Sequence, residues 1–321
     1  MNTAIKFPTS PNAPIQFPTA PQAVKASALK LDKRMSVERA YQEIARNCIE
    51  HIRANEAGVA RTHDVESLHQ LRVGLRRLRS AQSMFRDLIP WPAALAEEVD
   101  WLVSQLGPAR DWDVLAGSTL PKLSEGLEGA PELADLARAA QEKTGEMHEL
   151  ATLAVASERY THLINALTEW VDGAGWRAGS NAATTRLLKR SASKFASEVL
   201  VRDQKRLISR GSKLKGATVE KRHRVRIAAK KTRYAAEFFG SLYKQKRVKP
   251  YVKALAALQE HLGWMNDAAV AQDLLDQLAH EQGQLSESAT FARDYLAGAL
   301  EEEDPGLRKA WKRFAPLRVP H

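Results

Sequence analysis

Apolar positions recur every three to four residues along almost the whole chain, and the period of two that marks a half-buried strand is nowhere sustained. This face predicts helices at about 35–51, 64–89, 93–106, 131–155 and 157–171, then at about 182–209, 218–243, 247–262, 267–282 and 286–303. A shorter helix is expected from near Asp111 to before Pro121, and a last one over 308–314. Ser36 is placed to cap the first helix, with Glu38 in its first turn. Pro90 and Pro92 end the second, and Gly107–Pro108 is expected to stop the third. "EGLEGAP" reads as a turn, and "DGAGWRAGSN" (172–181), with three glycines in ten residues, is the clearest internal break. The fold class is therefore all-α, with a boundary near 172–181. Residues 1–32 differ. "IKFPTSPNAP" and "IQFPTAPQAV" form a short direct repeat whose prolines forbid a regular helix, so an extended or disordered tail is expected there.

A larger repeat underlies the helices. "LHQLRVGLRRLR" (68–79) and "KRHRVRIAAKKTRY" (221–234) share one outline at an offset of 154: His69 with His223, Arg72 with Arg226, Arg76 with Lys230, Arg77 with Lys231, Arg79 with Arg233. Each is followed by a second matched element, "LVSQLGPARDWDV" (102–114) and "LQEHLGWMNDAAV" (258–270). Two matched elements in the same order predict a duplicated helical unit, with half-repeats of about 33–171 and 182–316 related by a pseudo-two-fold axis. On a helical wheel His69, Arg72, Arg76 and Arg79 share a stripe of about 80°, with Leu71, Leu75, Leu78 and Phe85 opposite as the core face. In the second copy His223, Arg226, Lys230 and Arg233 form the stripe, and Val225, Ala229, Thr232 and Ala236 the core face. Arg77 and Lys231 are adjacent bases on a flank.

Charge sharpens this picture. Lys and Arg number 48 against 38 acids, a formal net charge of +10, and residues 202–249 hold 17 bases against Asp203, Glu220 and Glu237 alone. An ordinary solvated face mixes signs, whereas neither stripe has an acid between its His and its last Arg. Like charges three and four apart repel by a few tenths of a kcal/mol per pair. Such stripes therefore point to a polyanionic partner. Arg offers a planar fork matched to phosphate oxygens, Lys a point charge, and His a donor when protonated. Nucleic acid is the lesser alternative. The sequence has no zinc-finger spacing, no aromatic strand of the RNA-binding kind, and no tryptophans interleaved with the bases.

At these residues the sequence resembles the CHAD domain family, over about 33–316. The resemblance rests on "HQLRVGLRRLR" and "HRVRIAAKKTRYAAEFF", each followed by an "LG…D..V" element. It implies two four-helix bundles related by pseudo-two-fold symmetry, basic helices lining a central groove or pore, binding of inorganic polyphosphate, and association with polyphosphate granules. By position it assigns His69, Arg72, Arg76 and Arg79 to one wall and His223, Arg226, Lys230 and Arg233 to the other, with Arg77 and Lys231 beside them. Lys189, Arg190 and Lys194, on the helix before the second motif, are taken to extend the surface. Many relatives carry a fused triphosphate-hydrolysing CYTH domain. No strands of that kind are expected here, so the chain reads as a stand-alone, non-catalytic binding module. A phosphohydrolase acting on polyphosphate, or a nucleic-acid-binding helical scaffold, is the alternative.

Other chemistry finds less support. Nine histidines include no close i,i+4 pair of the kind that holds a metal on a helix. Asp111 and Asp113 in "RDWD" point to different helix faces, and Asp111 and Asp267 are read as caps of following helices. Trp91, Trp101, Trp112 and Trp264 are expected to fill the core or gaps between helices, and Cys48 to be buried. No cofactor is expected. A lone cysteine, no apolar run of about 20 residues and no signal-peptide core predict a cytoplasmic chain without a membrane span.

Overall fold

The computed structural model describes residues 21–126, 132–212, 214, 216–301 and 305–321. Among these the chain is helical, with no sheet strand. The first half holds α1 (Val37–Thr62), α2 (Val65–Phe85), α3 (Ala93–Val114), α4 (Leu120–Gly126), α5 (Glu132–Ala156) and α6 (Glu158–Asp172). The second holds α7 (Ala182–Leu188), α8 (Ala192–Gly211), α9 (Val219–Phe238), α10 (Gln245–Glu281), α11 (Ser286–Glu301) and α12 (Pro305–Phe314). Packing neighbours follow the same order in both halves: α1 on α2, α2 on α3 and α3 on α5, then α8 on α9, α9 on α10 and α10 on α11. The prolines of residues 1–20 and residues 127–131, the last five of "EGLEGAP", lie outside the described residues.

Local chemistry sets the ends of the helices that matter most. Ser36 caps α1 as expected, accepting a hydrogen bond from the Arg39 N–H. Asp64 caps α2 through the Ser67 N–H at 2.7 Å. Only His63, in the left-handed conformation at φ 50°, and Asp64 separate α1 from α2, so the two helices fold back as a hairpin. Their approach is tight because it runs over glycines. A Cβ on Gly74 would meet Ile52 Cγ1 at 2.7 Å, and one on Gly58 would meet Ser67 Oγ at 2.0 Å.

Several expected boundaries were wrong. The first helix, expected to end near His51, runs on to Thr62. Gly107–Pro108 does not stop α3, which runs through Pro108 to Val114. A proline inside a helix costs about 3 kcal/mol. Burial of Leu102 and Leu106, at about 1.5–3 kcal/mol each, outweighs that. No new helix starts near Asp111; a five-residue π-helical turn, Leu115–Thr119, joins α3 to α4. Gly263 likewise does not divide α10, which carries both expected helices as one. The expected helix at 182–209 is instead two, broken where an antiparallel bridge pairs Ser36 with Ser191. There the Val37 N–H donates to Arg190 O and the Ala192 N–H to Met35 O, both at 2.9 Å, tying the start of α1 to the start of α8.

The expected core faces are buried in both basic helices. The core itself cuts across the halves. Its larger part takes residues from α1, α2, α3, α5, α6, α8, α9, α10 and α12 without a gap. Phe85 of α2 stacks against Phe195 of α8 with ring centroids 4.7 Å apart, and lies 6.3 Å from Phe239, just past α9. A second, smaller core joins Trp112, Leu115 and α5 to α10 and α11. Cys48 and Trp112 are buried as expected, but Trp264 is 40% exposed on α10.

Candidate functional site: a cleft between two basic helices

The hairpins α1–α2 and α8–α9 bring α2 and α9 against each other, and their polar faces open into one cleft of about 860 Å³. From α2 it receives His69, Arg72, Arg76 and Arg77, and from α9 Arg226, Lys230, Arg233 and Tyr234. The floor comes from the other repeated element: Arg110, Asp111 and Val114 of α3, and Asn266, Asp267 and Val270 of α10. The extended segment Lys25–Leu29 and His51 of α1 complete the lining.

These cations are crowded and poorly neutralised. Arg72 and Arg76 make no hydrogen bond or ion pair with any described side chain, and the Nε atoms of Arg72, Arg76 and Arg226 are buried without a partner. Arg226 donates to Asn266 Oδ1 at 2.8 Å. Arg233 is better satisfied, donating to Glu237 at 2.6 Å and to Gln259 at 3.3 Å. Burial pushes the Arg72 guanidinium down to about 10, with Arg76 and Arg110 adding to the push and Asp111 opposing it. Burial, then Arg226 and Arg76, takes Lys230 down to about 8. The Arg76 field therefore reaches across to α9. His69 is also pushed down, by burial first and then by Arg110 and Arg76, which favours its neutral form.

Asp111 and Asp267 do not cap helices. Both sit within helices and face the cleft. Burial raises the Asp111 carboxyl, with Asp267 contributing to the rise and Arg72 opposing it. The guanidinium of Arg72 also lies against α3, where a Cβ on Gly107 would be 3.6 Å from its Nη1. Even with these carboxylates, cations dominate the lining. Unpaired buried donors cost about 1–3 kcal/mol each, more when charged. This cleft thus stores a cost that a multivalent anion would relieve by charge-assisted hydrogen bonds.

Of the remaining expected site residues, Arg77 lines the cleft and the structure disperses the rest. Arg77 is not on a flank: it is buried, donates to Asn47 Oδ1 at 2.9 Å, and lies 5.4 Å above the Phe238 ring. Arg79 is outside the cleft and pairs with Asp100 at 3.1 Å. His223 is exposed and lines a smaller neighbouring pocket with Arg222; Asn266 borders both. Lys231 reaches Ser83 Oγ at 3.1 Å, away from the lining. Lys189 and Arg190 stand at the break between α7 and α8, and Arg190 pairs with Glu198. Lys194 is exposed in the first turn of α8, and none of these three lines the cleft. Sequence reasoning missed Arg110, Tyr234, Asn266 and Lys25. The repeated "LG…D..V" element carried the signal for the floor, since it matched as well as the basic stripes did. Nothing marked Lys25.

An anion in the cleft favours the charged form of Lys230, so binding takes up a proton where that amine is partly neutral. Affinity is expected to fall as pH rises through about 8, by about tenfold at pH 9, one unit higher. The stability of the free protein should move the other way. The amine is lowered in the folded state, so the unfolded chain binds more protons between pH 8 and about 10, and stability rises across that window. Calorimetry in buffers of different ionisation enthalpy measures the uptake. Loss of that uptake in Lys230→Arg is the expected control.

The fold is all-α with a cation-lined cleft, and comparison with known proteins places it. The family model of the CHAD domain matches residues 43–276, and the chain belongs to the CHAD domain family. It is similar to the crystal structure of the CHAD domain from the plant Ricinus communis: 39% identity, TM-score 0.83, covering 94% of this chain and 99% of that one. It also shares its fold with PptA from Streptomyces chartreusis, at 16% identity and TM-score 0.63, over 87% of this chain and 100% of that one. No curated protein matches the chain. Among the described residues no helix is long and apolar enough to cross a membrane.

Proposed function

We propose that the cleft binds inorganic polyphosphate without chemical turnover. One observation carries the reading: Arg72, Arg76 and Arg226, from two helices of matched sequence, present buried donors without partners to a single cleft. The family is one found in polyphosphate-related proteins, which supports the choice of anion. Arg supplies paired hydrogen bonds to the oxygens of successive phosphates, and Lys230 and His69 add charge once the anion restores their protons. The two walls come from two helices of matched sequence, so a repeating ligand meets a repeated pattern of cations. The lining offers cations for phosphate oxygens but no activated nucleophile. The protein thus acts as a cytoplasmic binder, positioned at polyphosphate granules.

Size argues against duplex nucleic acid. A cleft of about 860 Å³ is the scale of a small-ligand site, whereas a duplex is read by a protein element that projects into its groove, which cations recessed in a cleft do not offer. Binding is expected to weaken steeply with salt, by analogy with counterion release from other linear polyanions. In competition at matched salt, duplex DNA should displace polyphosphate of equal charge only at a large excess. Equal displacement would overturn the choice of partner, and phosphate release from polyphosphate with Mg²⁺ would overturn the non-catalytic reading.

A further inference from the structure

The described chain before α1 is not a loose tail. It has no regular structure from residue 21 to 32, yet its backbone is held at three points. Asn55, fully buried in α1, receives the Val24 N–H on its Oδ1 and donates from Nδ2 to Val24 O, both at 2.8 Å. Asn47, one helical stretch earlier, donates to Ser27 Oγ at 2.7 Å and to Ser27 O at 3.2 Å. At the far end the Leu31 N–H donates to Ser241 Oγ at 2.8 Å, next to the end of α9. Asn47 also accepts from Arg77 of α2, so one buried amide ties the segment to the basic helix. Between these anchors Lys25 to Leu29 line the cleft, and Lys25 is exposed. The segment lies before residue 43, where the match to the family model begins.

We infer that Val24–Leu31 is a strap forming a third wall of the cleft, where it adds Lys25 as a phosphate-binding cation and narrows the opening to a single unbranched chain. This rests on the polyphosphate reading of the cleft. A bidentate side-chain amide on a backbone N–H and C=O copies one rung of a β-ladder, so the strap needs no sheet to hold its register. Burial makes release of Asn55 costly, because its acceptor and one of its donors would be left unpaired while the other stays on His51 O. Fixed in this way, the strap spends no entropy on closing over the ligand.

The test uses the full chain. Acetylation of lysines with and without polyphosphate, read residue by residue by mass spectrometry, is expected to show protection of Lys25 and none of Lys33 on the outer approach to α1. Lys25→Ala, an exposed change, is expected to weaken polyphosphate binding about threefold to tenfold and to reduce the salt slope by about one. Asn55→Ala, or Ser241→Ala should the buried change prevent folding, is expected to raise the affinity for duplex DNA relative to polyphosphate at least threefold. Wild-type protein that binds no polyphosphate defeats the reading of the cleft. Wild-type protein that binds, with Lys25 unprotected and the Lys25→Ala affinity unchanged, defeats the added cation. An unchanged DNA-to-polyphosphate ratio in the released variants defeats the narrowing.

Discussion

Replacing Arg72 and Arg226 together by alanine is expected to lower the affinity for polyphosphate by a hundredfold or more while leaving the helical fold intact. Each guanidinium is worth about 1.5–3 kcal/mol as a donor to a charged acceptor, and about 1.4 kcal/mol is tenfold. The two side chains come from opposite walls of one cleft, so their losses bear on the same ligand. The stability of the free protein should respond far less. The Nε of Arg72 is buried without a partner, and burial already pushes its guanidinium down to about 10, so its removal relieves a cost. Against that, Asp111 loses the charge that opposes its rise, and Asn266 loses the Arg226 donor at 2.8 Å. The thermal midpoint without ligand is therefore expected close to that of the wild type. Titration calorimetry measures the first effect and thermal unfolding the second. Unchanged affinity in the double variant would remove the cleft as the site.

Phe85→Ala is expected to cost about 3–5 kcal/mol, the range for emptying a large aromatic site in a core. Phe85 is fully buried, and its neighbours are Tyr41 of α1 at 5.1 Å, Phe195 of α8 and Phe239 beyond α9. The cavity would open at the seam between the halves, where the core has no gap. Denaturant unfolding followed by circular dichroism and by tryptophan fluorescence should thus give one coincident transition, shifted to lower denaturant. Two separated transitions, with only one of them shifted, would show halves that fold independently.

The helices were legible because burial writes a period of 3.6 into the sequence, and the core faces of α2 and α9 can be read from Leu71, Leu75 and Leu78, and from Val225, Ala229 and Thr232. The boundaries at Gly107–Pro108, Gly263 and Lys189 were not legible. Glycine and proline carry local costs of a few kcal/mol at most, and packing of residues distant in sequence decided against them in α3 and α10. At Ser191 the reverse happened: the helix broke where Met35 and Val37, on either side of Ser36 and 155 positions earlier than the bridge residue, offered a carbonyl to Ala192 and an N–H to Arg190.

The candidate site divides in the same way. Sequence alone determined that the protein is all-α, that two stripes of bases recur without balancing acids, and that an "LG…D..V" element follows each. Those are properties of residue type and spacing, which a helix turns directly into faces. Which bases share a cleft was decided only by the tertiary structure. Arg72, Arg76, Arg226 and Lys230 meet there because two hairpins dock through Phe85, Phe195 and Phe239. On the same stripes, Arg79 turns to Asp100 and His223 to the solvent. Lys25 had no pattern to announce it, since its place depends on Asn47, Asn55 and Ser241, three polar side chains far along the chain. A stripe fixes the direction of a side chain on its own helix; only packing fixes what stands opposite.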